Sequence, residues 1–204
     1  MAQPPVHIRP ATRDDALDLA QLIDIAGEGI PSYLWQQSCA PEQTALERGC
    51  QRAARDEGAF SYRNARVAIV DEQMVGMVLD YPILEPTEQE LEQVPTLPEV
   101  VRPFVELEYR AIGSWYINAL AVYAPYRNLG IGKCLLKDAQ QRAMEKGCDL
   151  LSIQVFSQNL AAVALYHKMG FRLARSRPVL LHPCPPFYDE DVWLMIKPCF
   201  NPAG

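Results

Sequence analysis

Residues 122–133 have the types and spacing of an anion-binding turn. The segment 127–133 reads RNLGIGK and follows an apolar run that ends at Val122. Gly130 and Gly132 have no Cβ, so a ligand can approach the backbone closely at both positions. The first amides of a helix have no intrahelical acceptor and lie at the positive end of the helix dipole, which suits a diphosphate. A glycine-rich helix start that binds nothing is the alternative interpretation.

Two common phosphate motifs do not fit this turn. A P-loop requires a glycine where Arg127 stands and a serine or threonine where Cys134 stands. The dinucleotide-binding fingerprint requires a small residue where Leu135 stands. The turn is therefore neither of these motifs.

The elements around the turn alternate between strands and helices. Apolar runs predict strands, and helical stripes that end at Gly147 and Gly170 predict helices. The predicted strands lie at residues 65–70, 74–79, 115–122, 150–155, 171–176 and 192–197, and the two clearest helices at 130–146 and 159–169. This order predicts an α/β fold with a mixed sheet and helices on its faces.

Two segments interrupt this pattern in what we predict to be one domain over residues 1–204. Residues 83–113 form an acidic insert that includes a helix after Pro98. The insert is either a solvated excursion or a cover over an acceptor site. Residues 177–191 form a loop rich in prolines and aromatic residues.

Composition excludes several classes of protein. A formal net charge of −6 disfavours nucleic acid as a partner. No run approaches the roughly 20 apolar residues of a membrane span, and residues 1–10 lack a signal pattern. The six cysteines contain no CxxC pair, so we predict reduced thiols and a cytoplasmic location. His7 and His182 have no partner at ligand spacing, so we predict no metal site.

Two motifs resemble those of the GNAT family of N-acetyltransferases. Arg127-x-x-Gly130-x-Gly132, after the strand 115–122, resembles the coenzyme A signature of that family. Residues 159–171 resemble its second motif, and the order and separation match. The resemblance implies a sheet splayed between the parallel strands 115–122 and 150–155. It also implies acetyl-CoA as acyl donor and a primary amine as acceptor.

The resemblance further implies which residues bind the cofactor. Backbone groups of Leu120, Ala121 and Val122 would pair with the pantetheine amides. The diphosphate would lie on the amides of the turn, which belong to Arg127, Asn128, Leu129, Gly130, Ile131, Gly132 and Lys133. The second motif would add contacts from Asn159, Ala162 and Tyr166. For the Lys133 side chain, a solvated surface position is an equal alternative.

The resemblance makes Tyr166 the proton donor to the departing thiolate. A phenol has an unperturbed pKa near 10, so it is protonated at neutral pH. The alternative role for Tyr166 is core packing. His167 points about 100° around the helix from Tyr166, so we predict a surface position for it. We predict that the stripe of Ala161, Leu165 and Met169 is buried.

A general base is the least determined part of the site. In the family this group varies and is often a carboxylate that acts through water. Glu106 and Glu108 are the candidates because they lie shortly before the strand 115–122. Tyr116 and Asn118 alternate onto one face of that strand, where they can hold a water chain.

Three functions remain open for the chain. The first is acetyl transfer to a small-molecule amine, which the insert and the proline-rich loop favour because they suggest a covered site. The second is acetylation of a protein α-amine or lysine, and the third is a CoA-binding regulatory domain without turnover. The strand 192–197 leaves an edge on which a homodimer can form.

Overall fold

The computed structural model describes residues 5–200, so residues 1–4 and 201–204 of the predicted domain lie outside the described part. The strands are β1 His7–Pro10, β2 Ala65–Val70, β3 Gln73–Pro82, β4 Trp115–Val122, β5 Leu150–Phe156, β6 Arg172–Pro178 and β7 Asp191–Pro198. The α-helices are α1 Ala16–Ala26, α2 Ile30–Gln37, α3 Ala45–Ala53, α4 Glu88–Gln93, α5 Arg102–Glu108, α6 Ile131–Glu145 and α7 Leu160–Lys168.

The strands form a seven-stranded sheet in the order β1-β2-β3-β4-β5-β7-β6. The predicted mixed α/β fold is thereby confirmed. β4 and β5 are parallel, and their ladder joins three residue pairs that end with Ile117 opposite Ile153. β4 itself continues to Val122, five residues beyond that last pair.

The chain divides into two compact units. One takes in the chain up to Asp80 together with Asn118–Ala139, and the other takes in Tyr81–Ile117 together with the chain from Gln140 onward. We refer to them as the turn unit and the insert unit, because the first contains residues 122–133 and the second the acidic insert. The single domain predicted from the sequence stays a prediction.

In the turn unit, β2 and β3 form the predicted antiparallel hairpin. Asp71 and Glu72 connect the two strands with φ values of 47° and 64°. Two consecutive left-handed residues are the geometry of a type I′ turn, whose twist matches that of the flanking strands. The interior of this unit includes the buried face of α1, with Leu19, Leu22 and Ile23.

In the insert unit, β5 pairs with β7 and β7 with β6, both in antiparallel register. Side chains alternate between the two faces of β5. One face carries Gln154 and Phe156, against which α5 packs through Phe104. Across the sheet, the guanidinium of Arg142 from α6 lies over the Trp115 ring of β4.

The acidic insert consists of two parts with different environments. Its first part holds α4, which begins at a capping box of Thr87 and Glu90 and has no buried residue. Its second part holds α5, where Pro103 and Leu107 are buried. Only the first part therefore fits the description of a solvated excursion.

Within residues 5–200, no helix combines the length and the apolar character that a membrane span requires.

Candidate active site

The turn between β4 and α6 has the geometry of an anion-binding loop. Asn128 and Gly130 have φ values of 63° and 81°, so two alternate residues adopt the left-handed conformation. The first bond of the helix runs from the amide of Cys134 to the carbonyl of Gly130 at 3.1 Å. The amides of Ile131, Gly132 and Lys133 therefore precede the helical ladder and have no acceptor within it. These amides are the feature of the turn unit that suits a diphosphate.

Side chains around the turn fix its backbone rather than fill it. Arg127 donates from Nε to the carbonyl oxygen of Val122 at 3.0 Å, so this cation is already held at the end of β4. A carbonyl oxygen has two lone pairs, so that of Val122 retains capacity for a second donor. Lys133 is exposed, as are Asn128 and Leu129, whereas Ile131 is buried and anchors the first turn of the helix.

The last residues of β4 lie against a glycine of the neighbouring strand. A Cβ at Gly76 would come within 2.7 Å of the carbonyl oxygen of Ala121, closer than real Cβ contacts. Ala121 is buried, and Leu120 and Val122 are half-buried. The absence of a side chain at position 76 thus sets the path of β4 where backbone pairing with pantetheine is predicted.

In the insert unit, Asn159 begins α7. Its side-chain oxygen accepts from the amide of Ala162 at 3.2 Å, which makes Asn159 the N-cap of the helix. Tyr166 is buried, and its ring lies 5.9 Å from that of Phe171. His167 is exposed, which confirms the surface position predicted for it.

The packing face predicted for α7 is wrong. Tyr166 is the buried residue of this helix, whereas Ala161 is exposed and Leu165 and Met169 are half-buried. Eight of the nine residues from Leu160 to Lys168, all but the lysine, are apolar, aromatic or histidine. Because such residues occur all around this helix, the periodicity of the sequence cannot predict which face is buried. The contact of Tyr166 with Phe171 shows that the buried face is the one that carries Tyr166.

The two candidate bases on α5 have different environments. Glu108 is half-buried, has no ion-pair or hydrogen-bond partner among residues 5–200, and burial raises its pKa to about 7. Glu106 is exposed, and its Oε2 accepts from Nε of Arg177 at 2.9 Å. A carboxylate with a pKa near neutrality, as at Glu108, suits proton transfer at neutral pH. The Glu106 carboxylate is instead engaged by Arg177.

Tyr116 of β4 is a neighbour of Glu108 in the insert unit. Burial, followed by the charge of Glu108 and the proximity of Tyr81, raises the pKa of Tyr116 well above 10. The Tyr81 and Tyr116 rings meet edge to face at 5.8 Å. Tyr116 therefore remains a neutral hydroxyl beside a carboxylate that titrates near pH 7.

The predicted site residues thus fall into two groups. Residues Leu120–Val122 and Arg127–Lys133 lie together in the turn unit, and Glu106, Glu108, Asn159, Ala162 and Tyr166 lie in the insert unit. Gly76 and the role of Arg177 were not predicted from the sequence. Neither has a local motif, because each acts on a residue 45 or more positions away. In the described part of the chain, no group of three or more His, Cys, Asp or Glu side chains could hold a metal ion.

Comparisons with known proteins agree with this geometry. Residues 30–171 match the model of the acetyltransferase (GNAT) family. The uncharacterized N-acetyltransferase YdgE of Bacillus subtilis is 34% identical over 62 residues, which are 30% of this chain and 40% of that protein. An N-alpha-acetyltransferase of Sulfurisphaera tokodaii is 32% identical over 136 residues, which are 65% of this chain and 67% of that protein. The match to YdgE thus spans less than half of that relative's length.

Solved structures share the fold. The polyamine N-acetyltransferase of Drosophila melanogaster superposes with a TM-score of 0.67 at 16% identity, over 95% of this chain and 100% of that one. The fold, the turn and the family match agree: the chain belongs to the acetyltransferase (GNAT) family.

Proposed function

We propose that this chain transfers an acetyl group from acetyl-CoA to the primary amine of a small molecule, by direct attack in a ternary complex. The observation that carries the choice of a small acceptor is the enclosure of Phe156 at the end of β5. Phe156 is 5% exposed, with Phe104 of α5 on it at 5.5 Å and Tyr188 of the proline-rich loop at 5.1 Å. An extended peptide requires an open groove, and this face of β5 is covered by two segments.

The residues of the turn unit fit the cofactor. The amides of Ile131, Gly132 and Lys133 offer three donors to the diphosphate, and the left-handed Gly130 keeps side-chain atoms away from them. Leu120, Ala121 and Val122 offer backbone groups to pantetheine. Arg127, Asn128 and Leu129 complete the turn, and the exposed Lys133 adds a positive charge that salt screens. When bound, acetyl-CoA supplies the activated acetyl thioester.

The residues of the insert unit supply the proton transfers. Glu108, as carboxylate, takes the proton that the amine nitrogen loses as the new C–N bond forms, through a water next to the Tyr116 hydroxyl. Tyr166 donates its phenolic proton to the sulfur as the C–S bond breaks. Asn159 and Ala162 position the start of α7, and with it Tyr166. Each such proton transfer typically contributes roughly 10²–10⁴-fold to the rate.

A second candidate function is acetylation of a protein α-amine. The observation in its favour is the 32% identity to the Sulfurisphaera tokodaii protein, which is named an N-alpha-acetyltransferase. The cytoplasmic location and a homodimer stay predictions, as does the absence of nucleic acid and membrane partners. The free edge predicted for the strand 192–197 is wrong, because β7 pairs with β5 on one side and with β6 on the other.

Thiol release from acetyl-CoA tests the proposal. The full chain is assayed with small aliphatic amines, aryl-alkylamines, amino acids and short peptides with free α-amines, and CoA binding is measured separately by calorimetry. Turnover of a small amine supports the proposal. Turnover of peptides alone supports the second function, and tight CoA binding without turnover of any amine indicates a regulatory domain.

A further inference from the structure

The helix α5, which carries the proposed base, is held against β5 by polar side chains. α5 spans Arg102–Glu108, and a helix of seven residues is not stable alone, so its contacts with the sheet decide where it lies. Ser152 and Gln154 of β5 are two positions apart, so their side chains share a face of the sheet. Both are connected by hydrogen bonds to the backbone of α5 or of the turn that follows it.

Gln154 binds the carbonyl group that also accepts from the amide of Glu108. Its Nε2 donates to the carbonyl oxygen of Phe104 at 2.9 Å. In an α-helix the carbonyl of one residue accepts from the amide four positions on, so the same oxygen accepts from the N–H of Glu108. A carbonyl oxygen has two lone pairs and can take both donors. The Phe104 carbonyl thus connects β5 to the backbone N–H of Glu108.

Ser152 and Ser114 hold the other side of the Glu108 backbone. The amide of Ala111 donates to the carbonyl oxygen of Glu108 at 2.8 Å. The carbonyl oxygen of Ala111 accepts from Oγ of Ser114 at 2.6 Å, and Oγ of Ser152 lies 2.6 Å from that of Ser114. A hydroxyl has one proton, and Ser114 gives its own to Ala111, so Ser152 donates to Ser114. The hydrogen bonds therefore run in one direction from β5 to the turn after α5.

This hydroxyl chain is buried beside the proposed base. Ser114 and Ser152 are fully buried and Ala111 is 2% exposed, so removal of one hydroxyl leaves its partner without water as a substitute. Ser152 lies opposite Tyr116 in the ladder of β4 and β5, and Tyr116 is a neighbour of Glu108. The residue pair that anchors the hydroxyl chain thus also contains the residue beside the Glu108 carboxylate.

We propose that Ser152, Ser114 and Gln154 are positioning residues for the transfer of the amine proton. They hold Glu108 at both its backbone N–H and its backbone C=O, and so keep its carboxylate half-buried beside Tyr116. The Glu108 side chain has no ion-pair or hydrogen-bond partner in the described part of the chain, so its backbone decides where it lies. The inference rests on the proposed function, because it concerns the base of that reaction.

Removal of the donors should loosen α5 and let water reach Glu108. In Ser114→Ala and in Gln154→Met we expect the pKa of Glu108 to fall from about 7 toward 4.5, by roughly one pH unit, because the carboxylate is less buried. An NMR titration of the full chain with isotope-labelled glutamate measures this pKa, and the Glu108 signal is the one missing from Glu108→Gln. The rising limb of kcat/KM should move to lower pH with it, and its plateau should fall roughly ten- to hundredfold as the base is displaced.

Two further variants test the order of the hydroxyl chain. Ser152→Ala leaves the bond from Ser114 to the turn in place, so its effect on the pKa of Glu108 should be smaller than that of Ser114→Ala. Because the two hydroxyls act in series, the double variant should shift this pKa no further than Ser114→Ala alone. Ser152→Ala, as the milder change, applies the same test if Ser114→Ala does not fold.

Ser61→Ala is the matched control for the loss of a buried hydroxyl. Ser61 is 1% exposed and donates from Oγ to the carbonyl oxygen of Arg55 at 2.6 Å, but it lies in the turn unit. We expect a loss of stability similar to that of Ser114→Ala, measured by thermal unfolding, with the pKa of Glu108 unchanged. A merely structural role of Ser114 would make these two variants alike in both measurements.

A pKa of Glu108 that stays near 7 in Ser114→Ala or in Gln154→Met, or that falls equally in Ser61→Ala, would overturn the positioning role. These results are separable from the proposed function. A displaced pKa together with full activity of Glu108→Gln upholds the placement of Glu108 and overturns its role as base. Acetyl transfer that requires Glu108 but is unchanged in Ser114→Ala upholds the proposed function and overturns the positioning role.

Discussion

Arg177 Nε donates to Glu106 Oε2 at 2.9 Å, and this contact separates the two carboxylates of α5. The contact engages the Glu106 carboxylate at the surface. Glu108, two residues on, lacks such a partner within residues 5–200, and its pKa rises to about 7 through burial. Two glutamates that the sequence could not distinguish therefore have different chemistry.

The first prediction concerns these two residues. Glu108→Gln should lower kcat by roughly 10²–10⁴-fold, because the variant cannot take the amine proton. Glu106→Gln is the matched control on the same helix and should retain kcat within a few-fold, since an exposed ion pair contributes little. Steady-state kinetics with acetyl-CoA and a turned-over amine measure both. Equal losses in the two variants would remove Glu108 from its proposed role.

The second prediction is the pH dependence that Glu108 imposes. A base must be ionised, so kcat/KM should rise with pH through about 7 and then level off. In Glu108→Gln this limb of the profile should be absent. A profile whose rising limb survives in Glu108→Gln would assign the titration to the substrate amine or another group.

The stability of the folded chain should fall over the pH range in which kcat/KM rises. The folded state retains the Glu108 proton up to about pH 7, whereas the unfolded chain releases it near 4.5. The folded state thus binds more protons between these values, so the contribution of Glu108 to stability falls as pH rises from 4.5 to 7. Denaturant unfolding at several pH values should show that the free energy of unfolding declines less steeply with pH in Glu108→Gln than in the unmodified chain.

Local patterns were sufficient for much of the fold. The strands β4 and β5 were predicted from apolar runs, and their parallel pairing was implied by the resemblance to the family. The helix α6 was predicted from a stripe of apolar residues between Gly130 and Gly147, and its observed bounds differ by one residue at each end. The strands and the helix depend on residues close together in the chain, which is why local patterns predict them. The pairing of β4 with β5 joins residues 36 positions apart, such as Tyr116 and Ser152, and no local pattern encodes it.

Features that depend on distant residues were not predicted. The contact of Phe104 with Phe156 joins residues 52 positions apart, and it decides which face of β5 is covered. The helix α4 is a different case, because Thr87 and Glu90 have the spacing of a capping box and were overlooked within the acidic composition of the insert. The burial of Glu108 depends on how α5 packs, and no motif encodes it.

The third prediction concerns Tyr166. Tyr166→Phe retains the ring against Phe171 and removes only the hydroxyl, so the fold should persist. We expect kcat to fall by roughly 10²-fold or more with CoA affinity nearly unchanged, because the proton donor to sulfur is lost. Tyr33→Phe, at an exposed tyrosine of α2, is the control. Full activity of Tyr166→Phe would leave Tyr166 with a packing role only.

The fourth prediction tests the phosphate turn with two glycines that share a backbone conformation. Gly130 and Gly147 have φ values of 81° and 72°, so alanine at either position should cost about 1–2 kcal/mol of strain. Gly147 ends α6, and a Cβ there meets no atom within 4 Å. Gly147→Ala should therefore lose stability but retain CoA affinity.

Gly130→Ala should suffer the same strain and in addition lose CoA affinity by tenfold or more, about 1.4 kcal/mol, because the methyl group and the adjusted backbone disturb the amides of residues 131–133. Thermal unfolding measures the loss of stability that both variants share. Calorimetry with CoA measures the loss of affinity that is expected of Gly130→Ala alone. Equal CoA affinity in the two variants at matched stability would mean that the diphosphate does not lie on this turn. Since the cofactor roles proposed for Leu120–Val122 and Arg127–Lys133 depend on that placement, they would then fail together, while the family assignment would stand.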